Sequence, residues 1–108
     1  MSYSVIVQPQ AERDIADAFA FIYSEAPNAA VVWYHGLKSA ILSLDAVPER
    51  CALSREGDLL GYELRQLVYG KRGGRYRIVF RMIDSEVHIL AVRHGARDVI
   101  EIDDTDES

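Results

Sequence analysis

The spacing of apolar residues changes partway along the chain, and that change limits the fold more than any other feature. Up to about residue 46 the apolar side chains recur at steps of three and four, which lines them along one face of a helix. Beyond residue 61 they alternate or gather in short β-branched and aromatic blocks, as strands require. A first block, Tyr3-Ser4-Val5-Ile6-Val7-Gln8, stands apart at the N-terminus. It reads as a strand with Tyr3, Val5 and Val7 on one face, ended by Pro9.

The helical part divides in two. From about Gln10 to Ser24, Ala11, Ile15, Ala18, Phe19 and Ile22 form one stripe, and Glu12, Asp14 and Asp17 place negative charge where the helix dipole favours it. Ala26-Pro27-Asn28 ends this helix, and proline suits the first turn of the next. The second helix runs to about Leu44 or Ala46, with a stripe of Ala30, Tyr34, Leu37, Ile41 and Leu44. Trp33 falls beside that stripe. Pro48 stops the helix, and Glu49–Gly61 reads as a polar loop with two glycines. Two helices joined by a short break predict a helical hairpin.

Three strands follow, over Tyr62–Tyr69, Tyr76–Ile83 and Glu86–Arg93. The first two are joined by the basic turn Gly70-Lys71-Arg72-Gly73-Gly74-Arg75, the last two by Asp84-Ser85. Val87, Ile89 and Ala91 are expected on one face of the last strand, which Gly95 interrupts. Short turns between strands predict an antiparallel meander. The expected architecture is therefore α+β: strand, helical hairpin, then a three-stranded meander with the hairpin packed on one face of the sheet. A single domain is expected over residues 1–102, followed by an acidic tail over 103–108.

The composition narrows the function classes. With 49% hydrophobic and 27% charged residues the chain is globular, not disordered. It has no apolar run long enough to span a bilayer and no secretory signal pattern at its start. Cys51 is the only cysteine, so no internal disulfide forms, and the Cys/His spacing of structural zinc sites is absent. A cytoplasmic location follows as the expectation. The glycine-rich turn at 70–75 lacks the strand-to-helix setting of a nucleotide loop, and no cofactor or metal is expected.

The net charge of −5 conceals a strong asymmetry. Residues 1–64 carry four basic and nine acidic side chains, residues 65–97 eight basic and two acidic, and residues 98–108 six acidic and none basic. A basic middle thus lies between an acidic front and an acidic tail, which bears on partners more than the total does. Arg65, Lys71, Arg72, Arg75, Arg77, Arg93 and Arg97 are the candidates for gripping an anionic or polar target. The plain alternative is that these side chains are surface groups or partners of nearby carboxylates.

Several pieces, taken in order, resemble the RelE/ParE toxin superfamily of type II toxin–antitoxin systems. They are the first strand, the hairpin ending in Leu44-x-x-x-Pro48, the strand Tyr76-Arg77-Ile78-Val79-Phe80-Arg81-Met82-Ile83, and the segment Val87–Val92 followed by Arg93-His94-Gly95-Ala96-Arg97-Asp98. The resemblance covers nearly the whole chain and is stronger to the ParE-like branch. It implies a cytoplasmic toxin that causes growth arrest, belongs to a plasmid-stabilising type of system, and is neutralised by a cognate antitoxin. Operator DNA would be reached only through that antitoxin.

The superfamily's ribonuclease branch cuts messenger RNA on the ribosome, with basic residues on the sheet and a tyrosine near the C-terminus. Its ParE-like branch inhibits DNA gyrase by binding. By the resemblance, Arg77 and Arg97 match two arginines of the nuclease pattern. The C-terminal tyrosine is missing, because all six tyrosines lie at or before Tyr76, and the expected pair of lysines is replaced by Glu63-Leu64-Arg65-Gln66-Leu67. RNA cleavage needs a proton donor and acceptor as well as charge stabilisation, and His94 is the one candidate near Arg97. Three readings stay open: a gyrase-binding toxin, a ribosome-dependent endoribonuclease using Arg77, Arg97 and His94, and an inactive partner-binding scaffold.

Overall fold

A computed structural model describes residues 2–71 and 74–95. The elements in chain order are β1 (Ser4–Val7), α1 (Pro9–Glu25), α2 (Pro27–Leu42), β2 (Ala52–Leu53), α3 (Glu56–Leu60), β3 (Arg65–Tyr69), β4 (Tyr76–Ile83) and β5 (Glu86–His94). The α+β architecture expected from the change of period is present. The sheet has five strands in the order β1-β5-β4-β3-β2. β3, β4 and β5 form the antiparallel meander, and β1 adds to it in parallel beside β5.

Proline punctuates both long helices at their first residue, where its missing N–H removes nothing from the ladder. Their apolar sides cover one face of the sheet. Leu37, Ile41 and Leu44 meet Ile78, Phe80, Val87, Ile89 and Val92, and Val5, Val7, Ile15 and Ile22 pack around them. Fully burying side chains of this size contributes about 1.5–3 kcal/mol each, so this layer dominates the stability. Tyr34, expected on the buried stripe of α2, is instead 39% exposed. Trp33 takes the inward place and stacks edge-on against Tyr76 at 5.1 Å.

The last strand departs from simple alternation. Val79 pairs with Ala91 but Phe80 pairs with Ile89, so Leu90 is an extra residue in β5. Such a bulge shifts every later side chain to the opposite face. Ala91 therefore does not share a face with Val87 and Ile89. It joins Leu64, Val79 and Leu90 in a second, smaller core on the far side of the sheet. Val92 then returns to the helical side.

The second core is covered by the region read as a loop from the sequence. Residues 49–61 contain the short edge strand β2 and the one-turn helix α3, closed by Gly61 at φ 79°. The strand expected from Tyr62 begins only at Arg65. Before it, Leu64 accepts a hydrogen bond from the Ser54 N–H (2.7 Å), and the Tyr62 ring lies 4.0 Å from the Arg81 guanidinium. Gly57 is required because a Cβ there would lie 2.7 Å from the Tyr62 carbonyl oxygen. No helix among the described residues is long and apolar enough to cross a membrane.

Candidate target-binding face

The arginines singled out by charge do not form one open patch. Arg65 opens β3 and turns back over the chain before β2. Its Nη1 donates to the carbonyls of Cys51 (2.6 Å) and Glu49 (3.2 Å), and its Nε donates to Glu63 (3.1 Å). Five residues further on, Gly70 adopts φ 114°, a conformation open to glycine at no steric penalty. It lets Lys71 start a turn in which the Gly74 N–H reaches the Lys71 carbonyl (2.8 Å). Lys71 and Arg75 are both exposed. The Arg75 carbonyl accepts from the Gly95 N–H at 2.6 Å, so this turn sits beside the end of β5. His94, the register partner of Tyr76, stacks on that ring at 5.3 Å. Lys71, Arg75 and His94 thus gather at one end of the sheet. Arg72 and Arg97 lie outside the described residues, as does the acidic tail.

Arg77 and Arg93 face each other across the β4–β5 ladder. Like charges directly opposite repel, and the fold supplies each with its own carboxylate. Arg77 is only 6% exposed. Its Nη1 donates to Glu56 Oε1 (3.0 Å) and Gln66 Oε1 (2.8 Å), and its Nη2 donates to Glu56 Oε2 (2.7 Å). This is the two-pronged geometry in which guanidinium and carboxylate match best. Ser54 donates its hydroxyl to Glu56 Oε1 as well. The Nε of Arg77 is buried and has no hydrogen-bond partner among the described residues.

Arg93 uses Nε to reach Asp14 Oδ1 (3.1 Å), while Asp14 Oδ2 accepts the Val92 N–H (3.0 Å). The pairing of β1 with β5 ends at Val7 and Ile89. Asp14 on α1 therefore supplies an acceptor beyond the point where β1 stops. Burial pushes the Asp14 carboxyl above its ordinary range, and the Val92 N–H and the Arg93 charge pull it partly back.

Glu56, Gln66 and Asp14 were not picked out from the sequence. For Asp14 a signal was there: it lies three residues after Ala11 and four before Ala18, on the inward stripe of α1. Glu56 carried no such mark, since nothing local in a polar loop shows that it folds back beneath β4. Among the described residues no cluster of three or more His, Cys, Asp and Glu side chains is placed to hold a metal ion.

A second surface lies on the helical side. A groove of about 510 Å³ runs between β1 and the helical hairpin, with Val5, Val7, Ile15, Phe19, Leu37 and Ile41 along its walls and Glu12 and Lys38 also lining it. β1 is an edge of the sheet. The Ser4 N–H bonds to the Ser85 carbonyl just before β5 and the Gln8 N–H to the Ile89 carbonyl within it, so by alternation the backbone groups of Val5 and Val7 point outward. The other edge, β2, is only two residues long.

Comparison with known proteins agrees with this arrangement of elements. Residues 5–99 match the family model described as the ParE toxin of the type II toxin–antitoxin system parDE. The chain is also 27% identical over 95 residues to Toxin RelE1 of Caulobacter vibrioides, an overlap of 88% of this chain and 96% of that protein.

Proposed function

Because the chain belongs to the ParE toxin family of type II toxin–antitoxin systems, we propose that it inhibits DNA gyrase by gripping it, without catalysing a reaction, in the cytoplasm. The observation that carries this reading is the burial of Arg77 against Glu56. Phosphate stabilisation by a strand arginine needs a guanidinium that can reach the reacting group, and here that group is already neutralised from inside. The lysine pair and the C-terminal tyrosine of the nuclease pattern are absent as well. What faces solvent at that end of the sheet is Lys71 and Arg75, which suit binding by charge more than proton transfer.

The test is a supercoiling assay with purified gyrase. Inhibition is expected, and charge reversal at Lys71 together with Arg75 should weaken it. Untouched supercoiling at high molar excess of toxin would sink the reading. Codon-dependent messenger RNA cuts in a translating extract, lost on changing Arg77, Arg97 or His94, would move the assignment to the ribonuclease branch.

Membership of this family implies a cognate antitoxin. We place its docking in the apolar groove beside β1. The outward backbone groups of Val5 and Val7 suit strand addition, and the groove suits apolar side chains from the same segment. Leu42 lines the groove and is 54% exposed, so Leu42→Asp should disrupt capture of the co-expressed antitoxin with little effect on folding. Unchanged capture by that variant would remove the groove from the interface.

A further inference from the structure

We propose that the cleft between α1 and the end of β5 is a binding site for a small zwitterion, a free α-amino acid with an apolar side chain. The site lies apart from the groove beside β1 and depends on neither the gyrase reading nor the antitoxin.

The cleft has a volume of about 580 Å³, within the range of pockets that hold small molecules. Its two walls carry opposite charges: α1 contributes Asp17 and β5 contributes Arg93. Ala18, Phe21 and Val92 add apolar surface. Phe21 is 69% exposed, so a large ring stands uncovered where an apolar side chain could lie on it.

Tyr76 points to a ligand. It lines the cleft and is only 9% exposed. Its ring packs edge-on against Trp33 at 5.1 Å and against His94 at 5.3 Å, which fixes where the hydroxyl sits. Among the described residues that hydroxyl has no hydrogen-bond partner, although a tyrosine buried this deeply usually finds one. Burial pushes the group above its ordinary value of 10.0, so at neutral pH it keeps its proton and can donate.

Arg93 adds two more donors. Its Nε is engaged by Asp14 Oδ1 at 3.1 Å, and the other Asp14 oxygen accepts from the Val92 N–H. Among the described residues Nη1 and Nη2 of Arg93 meet no acceptor, and the side chain is 39% exposed. A guanidinium with both Nη groups open takes a carboxylate on two prongs.

The charge balance selects the ligand. Asp14 balances Arg93, whereas the exposed Asp17 has no ion-pair partner among the described residues. A plain anion would be repelled by Asp17, and a plain cation by Arg93. An α-amino acid carries both charges on a single carbon. Its carboxylate meets Arg93 and the Tyr76 hydroxyl, its ammonium meets Asp17, and its side chain covers Phe21 and Ala18.

The experiment uses the full-length protein with L-leucine as the probe, followed by calorimetry and by the thermal midpoint, which a ligand of the folded state raises. L-leucine should bind. N-acetyl-L-leucine, which lacks the ammonium, and L-leucinamide, which lacks the carboxylate, should each bind about tenfold more weakly or worse, as expected when a charge-assisted bond is lost. Tyr76→Phe and Asp17→Asn should each weaken L-leucine by a similar factor. Both variants should fold like the parent, since neither removes a hydrogen bond or ion pair among the described residues. Should Tyr76→Phe fail to fold, Asp17→Asn decides. Absence of L-leucine binding at millimolar concentration overturns the proposal, as does binding that both variants leave unchanged. Leucinamide binding as tightly as leucine would make this a cation site, and acetyl-leucine doing so would make it an anion site; either result overturns the zwitterion.

Discussion

The ring of Tyr69 on β3 lies directly over Gly36 of α2, and no side chain fits between them. The Tyr69 hydroxyl donates to the Trp33 carbonyl at 3.0 Å, so a strand residue holds a helix carbonyl across the layer boundary. Alanine at position 36 would gain about 1 kcal/mol in helix propensity. Its Cβ would also meet the phenol oxygen within hard-sphere contact, and overpacking of that kind costs typically 1–3 kcal/mol. We expect Gly36→Ala to lower the urea midpoint, and to lower it much less in a Tyr69→Phe background. Equal losses in both backgrounds would show that the contact is not the cause.

The buried pair Arg77–Glu56 leads to a second prediction. The side chains are 8% and 1% exposed. Removing one partner leaves an uncompensated charge in the sheet face, which costs on the order of 3–5 kcal/mol. Arg77→Met and Glu56→Leu should each be strongly destabilising alone. The double variant should recover most of the loss, since apolar replacement of a whole buried pair is often neutral. Chemical denaturation of the four proteins measures the coupling, and additive losses would contradict it.

These two relationships mark the border of what a linear reading reaches. The helical stripe of α1, the two proline starts and the β3–β4–β5 meander were legible because each depends on residues near in sequence. The parallel pairing of β1 with β5 was not, because Val7 and Ile89 carry no local sign of each other. The bulge at Leu90 was also hidden, as alternating apolar residues read the same with or without it. At the site, the arginines were visible as charges. Their carboxylates were not visible as partners, since Arg77 meets Glu56 from 21 residues away and Arg93 meets Asp14 from 79. Basic composition left open whether these side chains grip a target or pair with carboxylates, and the fold pairs Arg77 and Arg93 while leaving Lys71 and Arg75 exposed.

Cys51 supports a third prediction. It is 7% exposed, and burial pushes its thiol above the ordinary value of 9.0, against the weaker pull of Arg50 and Arg65. The thiolate is the reactive form. Iodoacetamide at neutral pH should modify the folded protein far more slowly than the urea-unfolded chain, with the rate in intermediate urea tracking the unfolded fraction. Rapid modification without denaturant would show that the thiol is open.

Asp14 gives a dependence on pH with a definite sign. Its carboxyl is raised above 3.8 chiefly by burial, so the folded state holds the proton more tightly than the unfolded chain does. Stability then falls with rising pH wherever the folded state binds more protons. The contribution of this group is fully present below 3.8 and is lost as the pH climbs through the raised folded value. Asp14→Asn cannot titrate, and its amide can still offer an oxygen to the Val92 N–H or to Arg93. The stability difference between the parent protein and Asp14→Asn should therefore shift against the parent as the pH rises from the ordinary carboxylate value. It should level off once Asp14 is ionised in both states. Urea titrations of the two proteins at matched pH values give this difference directly, with other carboxylates cancelling. A difference that shifts in the parent's favour over the same interval would mean that the Arg93 charge and the Val92 N–H outweigh burial at this position.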